Sequence, residues 1–453
     1  MVLNDIFQRF VEESPVSVMV RITMQNIFAA SKLDAIFDAH AQRQRTNELL
    51  FSTVADLLGA VTCRIRPSVN AAYQAKVAEI GVSAKAVYDK LSRVEPNVAR
   101  AVVRETSLKM AAVIEKTGGT RPVPLPKYRL KIVDGNHLRR TERRLGELRD
   151  ENVAPLPGQA LVVFDPRLRL VLDIIPCEDG HAQERRLLPE LLKTVEPKDL
   201  WIADRNFCTT GFLWGILEQR GYFVIRQHAK TLYWELLGKR KKVGRIATGR
   251  VYEQTLLLGD GADKTRKIRR ITIELDQPTR NNDKEIYLLT NLPASVSALE
   301  IAELYSDRWQ IETAFQELAE NLCGEIATLA DPKAALFAFS LALVAYNILS
   351  VVKAALQAGH GLEQAEDVVS SYYLADEVAQ TYRGQEIALG SDYWQRFTDM
   401  TALQLARELL KIAARVDLAR YQKHVRGPKK KKPSLNKKKR KTVATARLLE
   451  TSS

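Results

Sequence analysis

Apolar residues in the first 120 positions recur three and four apart. Phe7–Val11, Val16–Ile27 and Leu49–Val61 each form one helical face. Ser83-Ala-Lys-Ala-Val-Tyr-Asp-Lys-Leu91 predicts a short helix with Ser83 as its N-cap, placed after Gly81 and another helix. That arrangement fits a helix-turn-helix or an ordinary helical hairpin. The stretch Thr117–Pro126 is rich in Gly and Pro and reads as a linker. Beyond it the period shortens. Tyr128–Asp134, Gln159–Phe164 and Leu168–Ile175 read as strands, followed by a helix (Gln183–Leu192), a strand (Leu200–Asp204), a helix (Thr210–Gln219) and a strand (Tyr222–Arg226). Val251–Leu258 and Lys267–Leu275 predict an antiparallel insertion with charged turns, a strand returns at Glu285–Thr290, and a long helix begins near Ser297. Residues 361 to 422 are again helical in pattern.

Three strands followed by strand–helix alternation is the order of an α/β, ribonuclease-H-like core. The 453 residues exceed one compact domain. They divide into a helical region (1–120), a first core part (121–228), a β insertion (229–285), a second core part (286–360), a helical region (361–422) and a tail (423–453). The net charge is +14, from 68 Lys and Arg against 54 Asp and Glu. Eleven of the basic residues lie in Lys423–Lys441, which contains no acid, so the rest is near balance. Such a run predicts a disordered tail that adheres to polyanions, and its composition also fits a nuclear-localisation signal. Cys63, Cys177, Cys208 and Cys323 are scattered without a C-x-x-C pair, which indicates neither a zinc site nor a disulfide framework. The first residues carry no signal-peptide pattern. Ala334–Val352 is mostly apolar, but Ser340, Tyr346, Asn347 and Ser350 suit a buried helix better than a lipid-facing one, so no membrane partner is expected.

The chemistry lies in three separated acids. Asp134 ends the run Tyr128-Arg-Leu-Lys-Ile-Val-Asp134, and Asp204 ends Asp199-Leu-Trp-Ile-Ala-Asp204. Side chains alternate along a strand, so Leu130, Ile132 and Asp134 share a face, as do Leu200, Ile202 and Asp204. Open α/β sheets bind ligands at the carboxyl ends of their strands. Two carboxylates brought together there repel unless a cation lies between them. On the predicted helix, Tyr305, Arg308 and Glu312 fall within about 60° of one another. Leu304, Ile311, Phe315, Leu318 and Leu322 form the adjacent apolar stripe. An Asp alone at a strand end is most often a turn former, and Tyr, Arg and Glu on one helix face most often make a surface ion pair; the conjunction is what points to a metal-assisted phosphoryl-transfer site.

Asp134-Gly-Asn136, Asp204-Arg-Asn-Phe207 and Tyr305-x-x-Arg308-x-x-x-Glu312 together make the chain resemble a DDE transposase of the fourth insertion-sequence family, over residues 45 to 422. The resemblance implies that Asp134, Asp204 and Glu312 are catalytic and hold two Mg²⁺ (or Mn²⁺) ions. It implies DNA contacts from Tyr305 and Arg308, and a transposon-end contact from Arg226, which reads otherwise as a surface residue ending a strand. A base-stacking aromatic in the insertion is also implied, with Trp234 and Tyr233 as candidates. The family's lysine, seven residues after the glutamate, is Ala319 here.

The expected activity is therefore metal-dependent cleavage at terminal inverted repeats and strand transfer into target DNA. The expected assembly is a dimer on DNA, in the cytoplasm and associated with the nucleoid. Two alternatives stand beside it. One is a DNA-binding protein that has kept the fold without the activity, favoured by Ala319; the other is a structure-selective nuclease.

Overall fold

The structure, a computed structural model, describes residues 2–45, 48–139, 154–228, 232–279, 282–424 and 442–450. The strands are β1 (Arg129–Leu138), β2 (Ala154–Leu156), β3 (Gly158–Asp165), β4 (Leu170–Cys177), β5 (Asp199–Ala203), β6 (Tyr222–Arg226), β7 (Tyr233–Ile246), β8 (Gly249–Gly259), β9 (Thr265–Leu275), β10 (Glu285–Thr290) and β11 (Thr442–Ala444). Nine of them form one sheet in the order β4-β3-β1-β5-β6-β10-β9-β8-β7. β3 is antiparallel to both β1 and β4, whereas β1, β5 and β6 run parallel. β10 then pairs antiparallel with both β6 and β9. The insertion expected over 229–285 is thus an extension of the central sheet. Its strand β7 was not legible as a strand. It carries Lys239, Arg240, Lys241 and Lys242 on the sheet edge, where charge discourages pairing with another chain.

The two faces of the sheet are covered by different elements. Leu130, Ile132, Leu200, Ile202 and Val224 face a large core that also holds Phe7, Val98 and Tyr421, so the N- and C-terminal helices share it. Val133, Trp201, Ala203, Phe223 and Ile225 face a smaller core under Phe212, Leu213 and Ile216. The alternation predicted along β1 and β5 is therefore real, with apolar residues buried on both sides.

The helix Pro332–His360 contains the apolar run noted in the sequence. It is long and apolar enough to cross a membrane, but it lies inside the protein. Its polar residues explain why. Asn347 is fully buried, accepts from Val171 N–H at 2.8 Å and donates to Val171 C=O at 2.8 Å, which completes the open edge of β4. The preceding long helix, Pro96–Thr117, is tied to the same strand by a fork from Arg100 to Asp173 at 2.9 and 2.7 Å.

Ser83 caps Ala84–Leu91 as predicted, accepting from Ala86 N–H. The expected linker is packed instead of free, because Gly119 approaches the Ala354 carbonyl so closely that a Cβ would lie 1.9 Å from its oxygen. None of the four cysteines forms a disulfide. Most of the basic tail, 425–441, lies outside the described residues. Its end departs from the expected disorder: β11 pairs in parallel with β2, Thr445–Glu450 is helical, and Arg447 binds Asp179 at 2.8 Å. Backbone pairing and one ion pair supply the order that composition did not announce.

Candidate active site

Asp134 and Asp204 come together because β1 and β5 are parallel neighbours. Their last pair is Val133↔Ala203, so the two aspartates are the next residues on adjacent chains. Asp134 does not end its strand, as the sequence suggested. β1 continues to Leu138 against β3, with Asp134 opposite Val162. The strand end belongs to β5, where Asp204 caps a 3-10 turn (Arg205–Phe207) by accepting from Asn206 N–H at 2.8 Å. Asp134 accepts from Gly135 N–H at 2.9 Å.

The third acid arrives differently from the helical count. The helix Ala298–Ser306 carries Tyr305 and stops; Trp309–Glu320 carries Glu312. Tight bonds at Asp307 N–H to Leu304 and Arg308 N–H to Tyr305 (3.0 and 3.2 Å) make the break. The break lets Leu304 and Ile311 both be fully buried while Arg308 turns inward. Arg308 is 12% exposed and lies 3.7 Å from Asp134 Oδ2 and 2.8 Å from Glu312 Oε1. A guanidinium thus stands between the first and third acids. Among the described residues, no three His, Cys, Asp or Glu side chains converge closely enough to hold a metal as they stand.

The electrostatics nevertheless favour a cation. Burial pushes the Asp134 carboxyl up to about 7, and the charges of Asp204 and Glu184 add to it, against the Gly135 N–H bond and Arg308. Burial and Asp204 also raise Glu184. The donors present are carboxylate oxygens, the kind that magnesium or manganese takes. Residues Asp134, Asp204 and Glu312 would hold such an ion, Glu312 after release from Arg308.

Tyr305 is 8% exposed. Burial pushes its phenol up to about 12, with Arg308, Arg226 and Asp204 close enough to act on it. Arg226 ends β6 on the face that carries Val224, the face of Asp134, and is held by Asp283 at 2.7 Å. Tyr305, Arg308 and Arg226 are therefore brought to the acids. Trp234 is not. Its register partner is Leu258, on the opposite face of the sheet, where Arg270 lies 5.4 Å from its ring and 4.0 Å from that of Tyr287. Tyr233 is 68% exposed and packs against Gly261. Ala319 is on the Glu312 face of its helix, seven residues on.

Glu184, whose charge acts on Asp134, opens a 3-10 turn after β4. It stood in a run read only as a helix, and no local spacing connects it with Asp134.

Residues 126–348 match the family model described as a transposase DDE domain, a span that includes Asp134, Asp204 and Glu312. The chain is 30% identical over 166 residues to a protein of Sinorhizobium fredii (strain NBRC 101917 / NGR234) described as "Putative transposase y4zB". That match covers 36% of this chain and 44% of the relative, so the chain spans less than half the length of the curated relative it matches. Among solved structures, a piggyBac transposase synaptic complex with hairpin DNA is similar at a TM-score of 0.40 and 11% identity, covering 87% of this chain and 84% of that one. At that score the likeness is too slight to support a functional conclusion.

Proposed function

We propose that this protein is a DDE transposase that binds terminal inverted repeats, cleaves DNA at the ends of an insertion sequence and joins them to target DNA. The observation that carries this reading is the side-by-side position of Asp134 and Asp204 on parallel strands, with Arg308 and Glu312 facing them. The sheet order β4-β3-β1-β5-β6 supports a ribonuclease-H-like core, since it is the third-second-first-fourth-fifth order with the first three strands antiparallel. The family match over 126–348 supports the same class.

In this reading the chain contributes position and charge. Asp134 and Asp204 supply oxygen donors from a rigid sheet. Arg308 offsets part of the acids' charge before DNA enters, then transfers its fork to a phosphate as Glu312 turns to the acids. Tyr305, protonated across the ordinary pH range, donates to a phosphate oxygen. Arg226 contacts the backbone of the bound end. A divalent ion, magnesium or manganese, when bound, would stabilise charge on the attacking and leaving oxygens. Two protomers on DNA bring both ends together.

The Arg308–Glu312 pair favours a second reading, a DNA-binding protein of this fold without activity. One experiment separates them. Wild type and Asp134→Asn, Asp204→Asn and Glu312→Gln are given labelled terminal duplexes with Mg²⁺ or Mn²⁺. Nicking by wild type alone, with end binding retained in all four, supports the transposase. Binding without nicking by wild type supports the inactive protein.

A further inference from the structure

We propose that the cavity behind the helix Trp309–Glu320, on the side away from Glu312, is a binding site for a phosphate group. The inference concerns a place apart from the acids and does not rest on the function proposed for them. The cavity has a volume of about 240 Å³, room for a tetrahedral oxyanion with a few waters. It lies between that helix, the long helix Pro332–His360 and the π-helical turn Gln364–Val368.

Its lining is unbalanced in charge. Among the described residues it carries four cations, Arg121, Arg169, Lys353 and Lys423, and two carboxylates, Glu317 and Glu366. Each carboxylate is therefore shared. Glu366 Oε1 takes Arg121 Nε at 2.6 Å and the Arg169 guanidinium as well. Glu317 Oε2 takes Lys353 at 2.9 Å, and the charge of Lys423 also acts on it. Two guanidinium groups converging on one oxygen repel each other, and a second anion relieves that repulsion.

Arg169 shows the imbalance most clearly. Burial and the neighbouring Arg121 push its guanidinium down to about 10, against the charges of Tyr346 and Glu317. Its backbone lies in the left-handed region, φ 55°, which is disfavoured for a residue with a Cβ. From there it reaches Glu366 and donates to Gln357 Oε1 at 3.1 Å. Paired guanidinium forks with lysines beside them match the oxygens of a phosphate. Gln310, Thr313 and Glu317 face the cavity within about 60° of one another on their helix, and Glu312 lies on another side. A phosphate bound there fastens the helix that carries Glu312 to the turn Gln364–Val368.

The probe is inorganic phosphate, titrated calorimetrically into the full-length protein at constant ionic strength, with melting temperatures alongside. We expect saturable binding. Arg169→Gln should weaken it about tenfold or more, the worth of one charge-assisted contact. Glu317→Gln removes a like charge from the wall and should tighten it about fivefold or more. The opposite signs are the point, since loss of a scaffold would weaken binding in both variants. If Arg169→Gln does not fold, the tightening in Glu317→Gln still carries the test. Weakening in Glu317→Gln would overturn the inference. So would wild-type affinity in both variants, as expected of phosphate held by the basic tail, or no saturable binding above that of chloride. A dinucleotide that displaces inorganic phosphate assigns the site to nucleic-acid phosphate, and no displacement assigns it to the free ion.

Discussion

Arg308 holds Glu312 at 2.8 Å across the break between two helices, and the same guanidinium reaches Asp134 at 3.7 Å. One side chain therefore offers counter-charge to two acids that come from distant parts of the chain. Arg308→Ala removes that counter-charge. Glu312 is 37% exposed, so solvent screening limits the loss to about 1–3 kcal/mol. Urea unfolding in EDTA at pH 8 measures it, and added Mn²⁺ should restore part of the stability. A variant as stable as wild type would show the pair to be idle.

Asp134 makes the metal-free protein sensitive to pH in an unusual direction. Its folded carboxyl is pushed up to about 7 from 3.8, chiefly by burial. The folded state therefore binds a proton that the unfolded state releases near pH 4. Stability from this group is full below about pH 4 and is lost as pH rises to about 7, on the order of 4 kcal/mol. Melting curves in EDTA between pH 5 and 8 should fall with rising pH for wild type and flatten in Asp134→Asn. Parallel curves for the two proteins would contradict the buried position.

Asn347 covers a strand edge. Asn347→Leu leaves Val171 N–H and C=O buried without partners, at a cost of about 2–5 kcal/mol. Chemical denaturation reads this directly. A loss below about 1 kcal/mol would mean that water reaches the β4 edge.

Ala319→Lys puts a charge on the Glu312 face, about 10.5 Å along the helix. One charge-assisted contact to a phosphate is worth roughly 1.5–3 kcal/mol, or about one to two decades in end-complex stability or second-strand cutting. Cleavage of a labelled terminal duplex, scored for each strand, is the measurement. Unchanged cuts would assign the lysine's role to another residue.

Deleting 425–453 removes eleven of the twelve Lys and Arg residues of the tail together with β11 and its pairing to β2. Binding to all DNA should weaken about equally, with a shallower dependence on salt, because fewer counterions are released. Loss confined to the terminal repeats would make the tail a sequence reader. Deleting only 442–453 should lower the melting temperature slightly and leave the salt slope unchanged.

Much of this protein follows from local pattern. Period-two alternation along Leu130–Asp134 and Leu200–Asp204, and helical spacing in Val16–Ile27, depend on which face of an element is wet, and neighbours in the chain suffice to show that. The Ser83 cap and the buried character of Ala334–Val352 are likewise local. Long-range contacts decided the rest. β1 runs on past Asp134 because β3 pairs with it to Leu138. The helix predicted to carry Tyr305 and Glu312 together breaks at Arg308, because two buried stripes and an inward guanidinium cannot be met by one straight cylinder. β7 takes its place through hydrogen bonds to β8 despite an exposed, lysine-rich sequence. Trp234 falls on the far face of the sheet because cross-strand register, set by Leu256 and Leu258, decides which way it points. Glu184 lies against the β1 backbone at Gly135, and a contact between residues 49 positions apart leaves no period in the sequence.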